Sequence, residues 1–143
     1  MKSHLTAISR KKPSLPMREL HLQNRFIGSC LDYGCGKGFD ADYFKFDKYD
    51  PFYFPKEINQ KYDTITCNYV LNVVSKSVEG CIIDKIVKLL KPGGKAYFSV
   101  RRDIDDEFVT SKGTFQRRVK LGFNSVYKNS GCEIYMIEPY IPG

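Results

Sequence analysis

No stretch of the 143 residues approaches the ~20 consecutive apolar positions that cross a bilayer, and the first residues lack the apolar core of a secretory signal. These absences lead to the expectation of a cytoplasmic protein. No C-x-x-C pair occurs among the cysteines at positions 30, 35, 67, 81 and 132, and only His4 and His21 stand beside them. A zinc site is therefore not expected, nor any other metal, and the cysteines read as reduced, mostly buried small apolar residues. No internal repeat or low-complexity segment is visible.

What is present suits one soluble domain. The chain is 27% charged and 42% hydrophobic, ordinary for a globular protein, and its length allows about two thirds of the unfolded surface to be buried. The net charge of +7 is concentrated at the two ends. Residues 1–25 carry Lys2, Arg10, Lys11, Lys12, Arg18 and Arg25 against Glu19 alone, and residues 112–128 carry Lys112, Arg117, Arg118, Lys120 and Lys128 against no acid. Basic surfaces of this kind suit DNA, RNA or another polyanion, and they equally suit a solvated face that keeps the protein in solution. With no obvious large apolar face, a monomer is expected.

Hydrophobic periodicity divides the chain. Residues 1–24, punctuated by Pro13 and Pro16, read as a basic arm with one short helical turn from Pro16 to Leu22, and residues 25–143 as the domain proper. Phe26 to Leu31 reads as the first strand, Phe39 to Phe44 as a short helix, and Phe46 to Pro51 as a brief strand ending in an acid and a proline. Tyr62 to Val70 is the next strand. From Ser77, apolar residues at three-and-four spacing give a helix that Lys91-Pro92-Gly93-Gly94 stops, and a strand follows from Lys95 to Val100. Thr114 to Leu121 reads as a strand, Phe123 to Asn129 as a short helix, and Cys132 to Ile137 as the last strand. Between Pro55 and Tyr62 there is no room for a further strand-helix unit.

The stretch with the clearest chemistry is Leu31-Asp32-Tyr33-Gly34-Cys35-Gly36-Lys37-Gly38-Phe39. An apolar run ends in an acid, three glycines follow two apart, and a helix opens. Glycines there let the backbone take positive φ and let a ligand lie against the main chain without a Cβ in the way. A dinucleotide fold places its third glycine three residues after the second, where this chain has Phe39, so a nicotinamide-dependent oxidoreductase is disfavoured. In nucleotide-binding α/β folds the acid ending the second strand accepts the ribose hydroxyls. Asp50 is that residue, with an Asx-Pro turn as the structural alternative. The aromatic run Phe52-Tyr53-Phe54 after it could cover an adenine or simply pack on the core.

The form Asp-x-Gly-x-Gly-x-Gly resembles the first motif of the class I S-adenosylmethionine (SAM) methyltransferases, and "helix, Leu-Leu-Lys-Pro-Gly-Gly, strand" resembles the turn before a later strand of that family. The order Thr6-Ala7-Ile8-Ser9-Arg10, Ser14-x-Pro16, Leu31 to Gly38, Tyr49-Asp50-Pro51 and Cys67 to Val73 resembles, more narrowly, the methyltransferases associated with DNA phosphorothioation systems. This chain is much shorter than those proteins. The resemblance implies a trimmed Rossmann-like α/β fold: a mostly parallel twisted sheet, a C-terminal antiparallel hairpin, and one strand-helix unit missing. It implies SAM as cofactor and S-adenosylhomocysteine (SAH) as product, bound by Asp32, Tyr33, Gly34, Cys35, Gly36 and Gly38, with the loop passing beneath the amino acid part.

Ligands of open parallel sheets bind at strand carboxyl ends, where Tyr33, Asn68, Tyr69, Asn72, Arg101 and Asp103 are expected. Asn68 and Tyr69 are the first candidates for positioning a methyl acceptor, and Asn68 also for touching the cofactor. Amino-methyltransferases of this fold carry [Asp/Asn]-Pro-Pro-aromatic there; Asn68-Tyr69-Val70-Leu71 keeps the Asn and has neither proline. Arg10, Lys11, Lys12, Arg101, Arg102, Arg117 and Arg118 are the expected phosphate contacts. The leading function is a SAM-dependent methyltransferase acting on nucleic acid. The alternatives are a small-molecule methyltransferase and a non-catalytic nucleic-acid binder that retains the fold.

Overall fold

In the computed structural model, residues 11–104, 107–110 and 113–139 are described. Pro16 lies in the first turn of helix α1 (Leu15–Leu22), where its missing N–H costs nothing because no intrahelical acceptor exists there. The helix buries Met17 and Leu20 completely. Ser14, at its N-cap, does not cap it but donates N–H and Oγ–H to the Asp40 carboxylate at 2.8 and 2.6 Å. The helical turn expected from Pro16 to Leu22 is thus present as α1, and it docks on the domain through Met17, Leu20 and Ser14.

Strand β1 (Cys30–Tyr33) leads through the glycine loop to helix α2 (Phe39–Phe44) and strand β2 (Asp47–Tyr49). β1 begins later than the apolar run from Phe26 suggests. Gly28 has φ +62°, and a Cβ there would fall 2.1 Å from the Asp63 carboxylate, so the chain turns before it can pair. Strand β3 (Tyr62–Asn68) and a 3-10 turn (Leu71–Val73) precede helix α3 (Lys76–Lys88), whose N-cap Ser75 accepts the Val78 N–H. Strand β4 (Leu90–Arg101) starts directly after α3, so Lys91 to Gly94 lie within the strand at an irregularity opposite Tyr62 and Thr64.

Two short strands, β5 (Phe108–Val109) and β6 (Phe115–Gln116), pair with each other apart from the main sheet. Strands β7 (Asn124–Lys128) and β8 (Cys132–Ile137) end the described fold. Two expectations are corrected here. Of Thr114 to Leu121 only Phe115 and Gln116 are strand, and Phe123 to Asn129, read as a short helix, forms β7. Asn124 to Lys128 runs in antiparallel register with β8, and that pairing outweighs local helix preference.

The main sheet has the order β2-β1-β3-β4-β8-β7, parallel from β2 to β4 and antiparallel beyond it. The β2–β3 connection contains no helix and no named strand, which leaves β2 at the edge. Strand alternation sends two sets of side chains to opposite faces. Leu31, Ile65, Cys67, Ala96, Phe98 and Val100 form one core with Ile86 of α3. On the other face Tyr97, Cys132 and Ile134 pack with Leu20, while Met17, Ala41 and Phe46 join α1 to α2.

Candidate functional site

The chain runs from β1 outward to β2 and returns to β3 on the other side of β1, so the order reverses between β1 and β3. Open α/β sheets bind their ligands in the crevice at the carboxyl ends beside such a reversal. The glycine loop borders it. Gly34, Gly36 and Gly38 have φ of +82°, +57° and +86°, a region closed to most side chains by the Cβ–carbonyl clash. A Cβ on Gly34 would lie 2.4 Å from Val70 Cγ2, and one on Gly38 2.8 Å from Lys48 Cδ. The Gly34 and Cys35 N–H groups both donate to the Tyr49 carbonyl, at 2.7 and 3.0 Å, which ties the loop to the end of β2.

Asp50 follows at that end. Its Oδ2 accepts the Gly36 N–H at 2.9 Å, and its Oδ1 accepts the N–H groups of Phe52 and Tyr53 at 2.9 and 3.1 Å. The Asx-Pro turn weighed from the sequence is therefore present, and the same carboxylate also fixes the loop. Each carboxylate oxygen has two lone-pair sites, so Oδ2 keeps one for a ligand. Phe52 is 57% exposed and stands edge-on to Tyr53, while Phe54 is covered by the Lys48 ammonium 4.5 Å above its ring.

A buried polar stripe crosses the face that α1 and α2 cover. Asp32 lies opposite Thr66, and Asn68 opposite Ser99. Thr66 donates its hydroxyl to Asp32 Oδ1 at 2.9 Å, and Ser99 to Asn68 Oδ1 at 2.8 Å. Asn68 Nδ2 is buried with no hydrogen-bond partner, an orphan donor of a kind that native proteins seldom leave. Asp32 is 3% exposed, and burial, reinforced by the charges of Asp40 and Asp50, pushes its carboxyl up to about 7. Asp40 carries the Ser14 latch. Neither Ser14, Thr66 nor Ser99 had been assigned a role from the sequence; a polar residue on the inward period of an apolar strand was the available signal for the last two.

The remaining candidates fall in several places. Tyr33 turns to the opposite face, against Tyr49 with ring centres 4.6 Å apart, and burial raises its hydroxyl to about 12; only its backbone borders the loop. Cys35 is likewise raised to about 12 by burial and the nearby carboxylates, and Cys67 is raised by complete burial. Neither is thiolate at neutral pH. We expect an aromatic disulfide reagent to label exposed Cys81 first, with buried Cys67 reacting only on unfolding, as timed thiol release read by peptide mapping would show. Tyr69 has φ +61° and packs on the cluster of Leu20, Tyr97, Cys132 and Ile134. Asn72 is fully buried, donating to the Arg117 carbonyl and accepting the Arg101 N–H at 2.9 and 2.8 Å. It clamps β4 to the β6 segment.

The basic residues differ in their surroundings. Arg101 is held by Asp103 through two bonds of 2.9 and 3.0 Å, and Arg102 donates to the Asn129 carbonyl. Arg117, expected to contact phosphate, is corrected to a structural residue. It is 9% exposed, and its guanidinium donates to the Val74 carbonyl at 2.5 Å and to Glu79 at 2.7 Å. Arg117→Ala would leave Glu79 half-enclosed without its partner, and we expect a loss of about 3 kcal/mol, read as a lower urea midpoint at unchanged slope. Lys11, Lys12 and Arg118 are exposed; Arg10 lies outside the described residues. Among the described residues no group of three or more His, Cys, Asp or Glu is placed to hold a metal ion, and no helix is long and apolar enough to cross a membrane.

Fold and crevice together define a doubly wound α/β domain with a glycine loop bordering the reversal of its strand order. Residues 5–117 match the methyltransferase domain family, and the chain belongs to that family. Among curated proteins none matches it in sequence. Solved structures resemble it in fold. One is the 1,6-didemethyltoxoflavin-N1-methyltransferase of Burkholderia thailandensis with its acceptor and SAH, at 14% identity and TM-score 0.61 over 84% of this chain and 74% of that one. Another is the glycopeptide N-methyltransferase MtfA with SAH, at 10% and 0.57 over 92% and 94%. A third is the N-methyltransferase NodS of Bradyrhizobium japonicum with SAH, at 14% and 0.52 over 85% and 82%.

Proposed function

We propose that this domain transfers a methyl group from SAM to a nucleic acid bound at the carboxyl edge of its sheet. One observation carries the cofactor half of this reading: three positive-φ glycines whose central N–H is held by the acid ending β2, beside an orphan donor on Asn68. These residues fit the cofactor. Asp32 and the backbone from Tyr33 to Gly38 would border its amino acid part. Asp50 would offer its remaining lone pair to the ribose, and Phe52 has the exposed ring to cover the adenine. When bound, SAM supplies an electrophilic methyl group, so the protein's work is to align an acceptor with it and exclude water.

Because Ser99 occupies Asn68 Oδ1, the side chain presents Nδ2, a donor. Nδ2 would orient an oxygen, either of the cofactor's carboxylate or of the acceptor, while the second lone pair of Oδ1 remains for an N–H. Tyr69 follows Asn68 at the end of β3, with its ring packed on Leu20, Tyr97, Cys132 and Ile134. Its left-handed backbone is a strained conformation of the sort that accumulates at functional sites. For the acceptor, the support is the net charge of +7, exposed Lys11, Lys12 and Arg118, and the resemblance to the phosphorothioation-associated branch. A small-molecule acceptor is the second reading. It is favoured by the commitment of Arg101 and Arg117 to carboxylates within the fold, and the toxoflavin enzyme's structure names such an acceptor.

Calorimetric titration with SAM and SAH tests the cofactor half, followed by labelled-methyl transfer to DNA, RNA and small acceptors. Transfer to nucleic acid, with binding that weakens steeply in salt, is the expected result. Salt-sensitive nucleic-acid binding without transfer would leave a non-catalytic binder, and transfer to small acceptors alone would move the assignment to the second reading. The ribose contact is best tested on the ligand, since Asp50 also holds the loop. A 2′-deoxy analogue of SAH should bind about tenfold more weakly, by the loss of one charge-assisted hydrogen bond.

A further inference from the structure

Asp32 sits in a setting that favours its neutral form and that an incoming cation would reverse. It lies under the glycine loop on the α1/α2 face, and Thr66 of β3 donates to its Oδ1. The charged groups acting on it are both carboxylates: Asp40 from α2 and Asp50 from the end of β2. Asp40 is already bound by Ser14 N–H and Oγ–H, and Asp50 by three backbone N–H groups. Those bonds fix both carboxyl groups in place near Asp32. The other titratable neighbours are thiols, Cys35 in the loop and Cys67 on β3, each of which feels Asp32 and stays protonated. Lys48 of β2 is engaged elsewhere, 2.8 Å from Asp42 and over the Phe54 ring.

We propose that Asp32 carries a proton in the free protein and surrenders it when the cofactor's α-ammonium group arrives beneath the loop, so that cofactor capture releases a proton to solvent. The inference rests on the cofactor reading above. It adds that the recognised charge is created by binding rather than stored in the free protein. A permanent carboxylate among two others would repel its neighbours in every unliganded molecule; a neutral acid does so only when a cation is there to compensate. Below pH 7 the ligand's ammonium is fully protonated, its ordinary value being about 7.7–8.0, so the protein's own proton is the one that moves. Affinity for SAH should then rise about tenfold per pH unit below pH 7, peak near pH 7.5 and fall as the ligand's own ammonium deprotonates.

Calorimetry of the intact protein with SAH at pH 6.5, in buffers of different ionisation enthalpy, counts the released protons. The expected number is roughly 0.7 at pH 6.5, falling to about zero near pH 7.5, above which the ligand's own amino group takes up a proton on binding. SAM should behave as SAH does, because both carry the ammonium. 5′-Deoxy-5′-methylthioadenosine, which lacks the amino acid part, should bind without release. Asp32→Asn should bind SAH with no proton release and no rise in affinity between pH 5.5 and 7, and the wild-type buffer series decides the question should that variant fail to fold. SAH binding without proton release overturns the proposal and leaves the cofactor assignment standing. Equal release with methylthioadenosine also overturns it, by moving the proton to a group that meets the nucleoside. Absence of binding by every ligand overturns both readings.

Discussion

Gly36→Val should abolish measurable SAH binding while the circular dichroism spectrum stays that of the wild type. The residue has φ +57°, and a β-branched side chain is a genuine outlier there. Relief of that strain requires the peptide to rotate, which takes the Gly36 N–H away from Asp50 Oδ2, now 2.9 Å distant. A hydrogen bond to a charged acceptor contributes about 1.5–3 kcal/mol, and left-handed strain about 1–2 kcal/mol. Even the lower ends of both sum to roughly two powers of ten in affinity. The valine would in addition stand where the ligand must approach the main chain. Gly36→Ala, with the strain but less bulk, should lose about tenfold. Calorimetry with SAH measures both, and valine-variant affinity within a few-fold of wild type would remove the loop from the binding site.

Asp32→Asn should make the protein more stable at pH 8, by up to about 4 kcal/mol. The carboxyl is raised from its unfolded value of 3.8 to about 7, and each unit is worth about 1.4 kcal/mol. The sign follows from proton counting. Between pH 4 and 7 the folded protein holds a proton that the unfolded chain has released, so raising the pH through that window favours unfolding. The stabilisation from the neutral acid is complete below pH 4 and gone above about pH 7. Asparagine never ionises and can still accept the Thr66 hydroxyl. Its urea midpoint should exceed that of the wild type at pH 8, approach it near pH 4, and vary much less in between. A wild-type midpoint that rises from pH 4 to 7 would show that Asp32 is ionised in the folded state.

The two predictions concern one site but very different kinds of information. The glycine loop was legible because its requirement is local. Three glycines two apart after an acidic strand end permit positive φ at each, and the structure places each of them there. Helix α3 was legible for a similar reason: its apolar spacing repeats within the segment, and Ser75 caps it three residues before Val78. The chain between Pro55 and Tyr62 was too short for another strand-helix unit, and length alone settled that. Asn68 could be placed at a strand end by counting along β3.

What no segment could reveal were groups whose state depends on partners far along the chain. Ser14 meets Asp40 across 26 positions, Thr66 meets Asp32 across 34, and Ser99 meets Asn68 across 31. Arg117 looked like one more surface cation until Glu79 and Val74, roughly a third of the chain away, enclosed it. Asn124 to Lys128 reads locally as a helix and becomes a strand because β8 offers it a ladder. Backbone conformation at the glycines and the periods of helix and strand are short-range properties, so the residues themselves dictated the loop, the helices and the sheet's parallel half. Which carboxylate is neutral, which arginine is buried and which donor is left unpaired are settled by burial and long-range pairing, and those exist only once the sheet has brought distant segments together.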